Sequence, residues 1–157
     1  MDHIIRKAKL SDGPAVIELW KALIDYHKDI ACYDLEMVDE APEIFSKWYK
    51  THVRSGKRRA IVAEADGQLI GYFMGSIESR ANLFKRHVKA HIYDTYIVEE
   101  WRGKGVGKAL LDDFTAWVQE KGVDQITVFY SPENGPGLGF WHDSGYTDVL
   151  IMGHRDL

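Results

Sequence analysis

Arg102-Gly103-Lys104-Gly105-Val106-Gly107-Lys108 is the stretch whose reading decides the fold. It lies between an apolar run ending at Val98 and an amphipathic helical pattern beginning near Val106, so strand, glycine-rich turn and helix follow in that order. Glycines let a backbone turn tightly and come close to a ligand. Successive amide N–H groups then converge at a helix N-terminus, where the dipole also favours negative charge. That geometry suits a diphosphate. Two common diphosphate loops fail on spacing. The P-loop, G-x-x-x-x-G-K-[ST], would need glycine at Arg102 and Ser or Thr at Ala109. The dinucleotide pattern G-x-G-x-x-G meets Lys108 when started at Gly103 and Leu110 when started at Gly105. What fits is R-x-x-G-x-G, on Arg102, Gly105 and Gly107.

Outward from this loop the chain alternates strands and helices. Upstream, His91 to Val98 reads as a fourth strand, and 79–88 as a polar, basic loop. Before that, Arg58 to Ile77 reads as a hairpin turning at Asp66-Gly67, a strong two-residue turn signal. Residues 3–8 form a first strand. Ser11 or Asp12 then caps a helix with Pro14 in its first turn. Val16, Leu19, Trp20, Leu23, Ile24, His27 and Ile30 give that helix one buried face. An acid-rich connection (Asp34, Glu36, Asp39, Glu40) precedes a second helix over 40–54, with Ile44, Phe45, Trp48, Tyr49 and His52 on one stripe. Downstream, the 105–121 helix turns Val106, Leu110, Leu111, Phe114 and Val118 inward and stops at Gly122. Gln125 to Tyr130 is a fifth strand, 136–144 a short helix, and 146–153 a last strand. Alternating elements around a mixed sheet predict an α/β sandwich.

The 157 residues suffice for one domain with a real core, over 1–157. A hydrophobic content of 45% argues against disorder. The net charge of -4, with no long basic block, disfavours electrostatic binding to nucleic acid. No apolar run approaches the roughly 20 residues of a membrane span. The N-terminus lacks a signal peptide's apolar region, and the single Cys32 forms no intramolecular disulfide. A cytoplasmic protein is expected. No His/Cys cluster has zinc spacing, so no metal is expected.

The Arg102–Lys108 loop resembles the acyl-CoA pyrophosphate loop of the GNAT superfamily, the GCN5-related N-acetyltransferases. A second motif of that superfamily resembles N-x-x-A-x-x-x-Y-x-x-x-G-F. Asn134, Gly137, Trp141, Gly145 and Tyr146 fall at those five spacings, with Phe140 at the usual aromatic. Together with the element order, the resemblance covers nearly the whole chain. It implies a GNAT-like α/β domain with a mixed, mostly antiparallel sheet, helices on both faces, and acetyl-CoA wedged where the fourth and fifth strands splay apart. It further implies that Thr95, Tyr96 and Ile97 pair with the cofactor through backbone and that the amides of Gly103, Lys104, Gly105, Val106, Gly107 and Lys108, beside Arg102, hold the pyrophosphate. Asn134 would reach the pantetheine arm.

Two departures from the pattern matter. Gly137 stands for the usual Ala, with Pro136 before it, so the last helix is expected to start late. Trp141 stands where many relatives have the tyrosine that protonates the departing thiolate. An indole N–H donates a hydrogen bond but gives up no proton at neutral pH, so Trp141 is expected to pack against the cofactor arm. Ser131, Tyr130 and His142 are the nearest candidates for a replacement acid. A thiolate with pKa near 8.5 also leaves tolerably without one.

Acetyl transfer to an amine needs a base, a donor for the carbonyl oxygen and a leaving thiolate. Direct attack needs no protein nucleophile, so Cys32 is read as core or loop. In the histone acetyltransferase branch a glutamate lies eleven residues before the motif, where this chain has His91. The polyamine acetyltransferases place an acid where this chain has Tyr93, with Asp94 beside it. Alternation puts His91, Tyr93 and Thr95 on one face; Asp94 joins them only if a bulge intervenes. His91, Asp94 and a water relay all stay open as the base. His27 is read as core or as a pocket residue, and Asp25, Asp29, Asp34 and Glu36 as a solvated face or an attractor of a cationic amine. The expected activity is acetyl transfer from acetyl-CoA to a small-molecule primary amine in a ternary complex, with a homodimer compatible. Alternatives are a protein N-terminal or lysine acetyltransferase and a silent acyl-CoA sensor.

Overall fold

Asp66 and Gly67 take positive φ values of 50° and 75°, the backbone a tight type I′ hairpin requires, and they fold the centre of the sheet. The structure, a computed structural model, describes residues 2–30, 35–153 and Arg155. On either side of the turn run β2 (Arg58–Ala65) and β3 (Gln68–Ser79). β1 (Ile4–Lys7) pairs antiparallel with β2, and β4 (Val88–Ile97) antiparallel with β3. β5 (Ile126–Val128) joins β4 in parallel, giving a five-stranded mixed sheet in the order β1-β2-β3-β4-β5. The helices are α1 (Gly13–Lys28), α2 (Ala41–Arg54), α3 (Val106–Glu120) and α4 (Gly135–Asp143).

Strand alternation divides two cores between the faces. Ile61, Ala63, Phe73, Ala90 and Ile92 point towards α3 and bury Val106, Leu110, Phe114 and Val118. Ala60, Val62, Tyr72 and Met74 point the other way, against Val16, Leu19 and Leu23 of α1 and Phe45 and Tyr49 of α2. Arg59 ties β2 to α3 through Asp113 at 2.8 Å. The helical stripe of α2 is as expected except for Ile44, which is exposed. α1 begins after the expected Asp12, whose carboxylate pairs with Arg6 and accepts the Lys9 amide at 2.7 Å. Gly122 at φ 72° follows α3 as expected.

Several boundaries differ: β5 keeps only Ile126–Val128 of the expected 125–130, and β3 runs on to Ser79. β4 starts at Val88, three residues early, because Ser79 and Glu78 carry the β3 pairing through Lys89. α4 starts at Gly135: Pro136 sits in the first turn, where its missing N–H costs nothing, so it does not delay the helix. Residues 147–153 form no strand. Their apolar run Val149-Leu150-Ile151-Met152 is exposed and shows no alternation that would set one face inward. The strand beside which it would pair, β5, offers only three residues. Cys32 and Asp34 lie outside the described residues.

Candidate active site

The β4–β5 ladder has three rungs: Ala90↔Ile126, His91↔Thr127 and Ile92↔Val128. β4 then continues alone to Ile97 on that side, while its other side stays paired with β3 through Thr95↔Phe73, Tyr96↔Tyr72 and Ile97↔Gly71. This is the splay: beyond Ile92 β4 has no strand partner on that side, the Ile97 carbonyl there accepts Arg102 Nε, and the rest of the edge, at Thr95 and the Ile97 amide, is open to an added strand-like partner.

A bulge reshapes the strand at its mouth. Met74 pairs with Asp94 and Gly75 with Ile92, so Tyr93 is the extra residue. Gly75 makes the bulge possible: a Cβ there would lie 2.6 Å from the His91 carbonyl oxygen and 2.5 Å from Phe114 Cζ. The consequence is a change of facing. By register His91 shares the α1/α2 face with Ser76, and Asp94 shares it with Met74. Thr95 pairs with Phe73 on the α3 face, so it does not stand with His91 as simple alternation implied.

His91 is buried, and its Nδ1 lies 2.9 Å from Thr127 Oγ1. Burial holds its imidazole below the usual value, with Glu78 partly opposing and Lys89 adding to the shift. Its ring meets those of Tyr93 at 5.2 Å and Phe129 at 4.9 Å. Tyr93 donates its hydroxyl to Glu78 and meets Ser76 Oγ at 2.8 Å. Trp48 and His52 of α2 close the group against Tyr93. His52 donates from Nδ1 to the Trp48 carbonyl at 3.0 Å; burial depresses it to about 4. The Asp94 carboxyl has no hydrogen-bond partner among the described residues, and burial pushes it up to about 6. Its charge adds to the burial that raises the Tyr72 phenol, whose buried oxygen is also unpartnered.

The loop after β4 closes with a 3-10 turn at Glu99–Trp101 and then Gly103 and Gly105 at φ 69° and 84°. Gly105 is the N-cap of α3, and the first bond within the helix runs from the Ala109 amide to its carbonyl at 3.0 Å. The amides of Gly103 to Lys108 therefore meet no acceptor among the described residues, and the space beside Gly103 and Gly105 is open to 4 Å. These residues fit a diphosphate. Arg102 Nε donates to the Ile97 carbonyl at 3.0 Å, and its guanidinium lies 5.0 Å from the Tyr26 ring and 5.3 Å from the Tyr96 ring. Lys108 is turned to Asp112 at 2.8 Å on the surface, and Lys104 to the Trp101 ring at 5.5 Å.

Across the splay, Asn134 caps α4. Its Oδ1 accepts the Gly137 amide at 3.1 Å and the Tyr26 hydroxyl at 3.1 Å. A Cβ at 137 would stand 2.5 Å from Asn134 Nδ2, which is why glycine rather than alanine suits this side-chain position. Trp141 is 5% exposed and packs against Tyr130, Phe140 and Tyr146 in the α3-side core. Of the candidate acids, Tyr130 and His142 both engage Asp148 on the surface, and Ser131 is a buried cap of the Glu133 amide. His27 is partly buried, with Nδ1 unpartnered and burial lowering its pKa. Thr127, Glu78 and Tyr26 went unremarked in the sequence. Thr127 needed the β4–β5 register, Glu78 the extent of β3 and Tyr26 a contact across 108 residues, none of which periodicity carries.

The sequence profile of the acetyltransferase (GNAT) family matches residues 20–146. The chain belongs to this family. It is an acetyltransferase, and acetyl-CoA is the acyl donor of the GNAT family. An N-alpha-acetyltransferase from Sulfurisphaera tokodaii is 23% identical over 158 residues, spanning 98% of this chain and 85% of that protein. The GNAT fold is shared with a predicted acetyltransferase from Clostridium acetobutylicum solved with acetyl-CoA, at TM-score 0.81 and 16% identity, covering 99% and 96% of the two chains. It is also shared with an aminoglycoside acetyltransferase from an uncultured soil metagenomic sample solved with sisomicin, at TM-score 0.72 and 18% identity, covering 99% and 96%. Among the described residues no helix is long and apolar enough to cross a membrane.

Proposed function

We propose that this protein acetylates a primary amine of a small molecule by direct attack in a ternary complex, with His91 as the proton acceptor. The observation that carries this reading is the placement of His91 at the last rungs before β4 and β5 part, on the face it shares with Asp94 and with the rings of Tyr93, Trp48 and His52. When bound, acetyl-CoA supplies a thioester, an activated acyl group on a leaving thiolate.

The chain's own groups do the rest. The amides of Gly103 to Lys108 bind the diphosphate at the dipole-positive end of α3. The open edge of β4 beyond Ile92, over Thr95 to Ile97, orients the acyl arm, and a backbone N–H there donates to the carbonyl oxygen. Asn134, whose Oδ1 holds the cap of α4 and the Tyr26 hydroxyl, has its Nδ2 to donate to the pantetheine. His91, neutral at physiological pH, takes the proton of the incoming ammonium. Asp94, ionised above about pH 6, favours a positively charged acceptor on the same face. Trp141 fills space and excludes water without transferring a proton.

A second reading is acetylation of a protein N-terminus, favoured by the relative from Sulfurisphaera tokodaii. CoA release measured with a panel of small amines, aminoglycosides and N-terminal peptides separates the two. Turnover on peptides alone overturns the small-molecule reading, and cofactor binding without turnover on any acceptor overturns both. The exposed run at 149–152 supports a homodimer, which light scattering tests.

A further inference from the structure

We propose that Thr127 is a positioning residue that fixes the tautomer of His91, keeping the proton on Nδ1 and the lone pair on Nε2. The proposal rests on the reading of His91 as the base.

The argument is a count of protons. A threonine hydroxyl has one proton to give and two lone pairs to accept with. Thr127 Oγ1 lies 3.2 Å from the Ala90 carbonyl oxygen and 2.9 Å from His91 Nδ1. A carbonyl oxygen only accepts, so the contact with Ala90 takes the hydroxyl's proton. The remaining contact then needs a proton from the other side, and Nδ1–H supplies it. In a neutral imidazole only one nitrogen carries hydrogen. Nε2 is therefore bare, which is the state a proton acceptor needs.

Three features make the arrangement rigid. Thr127 and His91 are register partners on the parallel ladder, so backbone pairing sets their separation. Thr127 is β-branched, with restricted χ1 on a strand. Thr127 is also the one hydrogen-bond partner of the ring among the described residues. The ring is faced by Glu78 from β3, by Lys89, Tyr93 and Asp94 on its own strand, and by Phe129 after β5, with His52 of α2 beyond Tyr93. Glu78 is engaged by the Tyr93 hydroxyl. The opposite tautomer would put an N–H at Nε2, force Thr127 to donate to Nδ1 and leave the Ala90 contact without its proton.

Nitrogen-15 NMR of the intact protein, above the pH at which His91 titrates, reads this directly, because protonated and bare ring nitrogens resonate far apart. The expected wild-type spectrum has His91 protonated at Nδ1 and bare at Nε2. Thr127→Val keeps the shape and removes the hydroxyl; it should shift the ring towards the Nε2–H tautomer. It should also lower kcat by about tenfold, a fraction of what a general base supplies, with KM for acetyl-CoA unchanged. Thr127→Ser should restore both tautomer and rate. A wild-type His91 protonated at Nε2 overturns the proposal, even if Thr127→Val fails to fold. So does a Thr127→Val protein with unchanged tautomer and rate. Undiminished kcat in His91→Ala would instead remove His91 as base and with it the catalytic half of the proposal. The two failures are read on different measurements.

Discussion

His91 and Asp94 stand three positions apart on β4, an odd spacing that regular alternation would send to opposite faces. They share a face because Tyr93 is bulged between Ile92 and Asp94, opposite the Met74/Gly75 step of β3. One extra residue therefore brings two titratable groups to the mouth of the splay. Burial moves them in opposite senses, lowering the imidazole and raising the carboxyl. Both shifts favour the neutral form, and each gives a distinct dependence on pH.

For Asp94 the sign is set by where its proton stays. The folded carboxyl titrates at about 6 against 3.8 ordinarily. Between those values the folded chain holds more protons than the unfolded one, so stability is highest below this window and falls as pH rises through it. The full penalty, up to about 3 kcal/mol, applies above pH 6. Asp94→Asn should therefore raise Tm at pH 7.5 and converge with the wild type near pH 4. Thermal unfolding from pH 4 to 8 checks this, and a variant less stable at pH 7.5 contradicts it.

For His91 the active form is the neutral one, and its depressed value keeps it neutral to below pH 6.5. The maximal rate should fall as pH drops through the depressed value. His91→Ala should remove that limb and cost roughly 10²–10⁴-fold in kcat. The rate profile is the measurement. A limb that survives in His91→Ala and disappears in Asp94→Ala assigns the base to the carboxylate instead.

Gly105→Val tests the loop. At φ 84° a branched residue is strained by roughly 1–2 kcal/mol, which lowers Tm without unfolding the sheet. Its side chain would also enter the open space beside the free amides of Gly103 to Lys108. CoA affinity should fall by roughly 10²-fold or more, since several amides lose their approach to the diphosphate. Calorimetry with CoA decides; unchanged affinity removes the diphosphate from this loop.

Much of the architecture was legible because it rests on local signals. The Asp66-Gly67 turn, the Gly122 stop after α3 and the apolar stripes each depend on a few adjacent residues. The glycine loop and the Asn134–Tyr146 spacing were likewise readable, because their geometry is set within one strand–turn–helix or one short helix. What was not legible depends on register. Alternation placed Thr95 beside His91, and only the pairing with β3 shows that Tyr93 is spent in a bulge. Thr127 acquires meaning only opposite His91. The missing last strand belongs to the same class: Val149 to Met152 is β-rich in composition, but pairing needs a partner edge that three-residue β5 barely offers.

Trp141 gives the sharpest test because it stands where many relatives carry an acid. The indole is buried among Tyr130, Phe140 and Tyr146, and no hydrogen bond engages its N–H among the described residues. A residue so placed contributes packing. Trp141→Phe should lose roughly 1–3 kcal/mol of stability from the smaller ring and retain most of kcat. Trp141→Tyr puts a phenol into the same space and should be neutral or mildly faster, since a phenol can protonate the leaving thiolate. The neighbouring Tyr146, pushed up to about 12 by burial, holds its proton tightly and makes a poor substitute acid. A loss of roughly 10²-fold or more in Trp141→Phe, the scale of a missing acid–base group, would show that the indole N–H serves the reaction. CoA affinity is the control: if it falls in parallel, Trp141 holds the cofactor arm, and the rate reports binding rather than proton transfer.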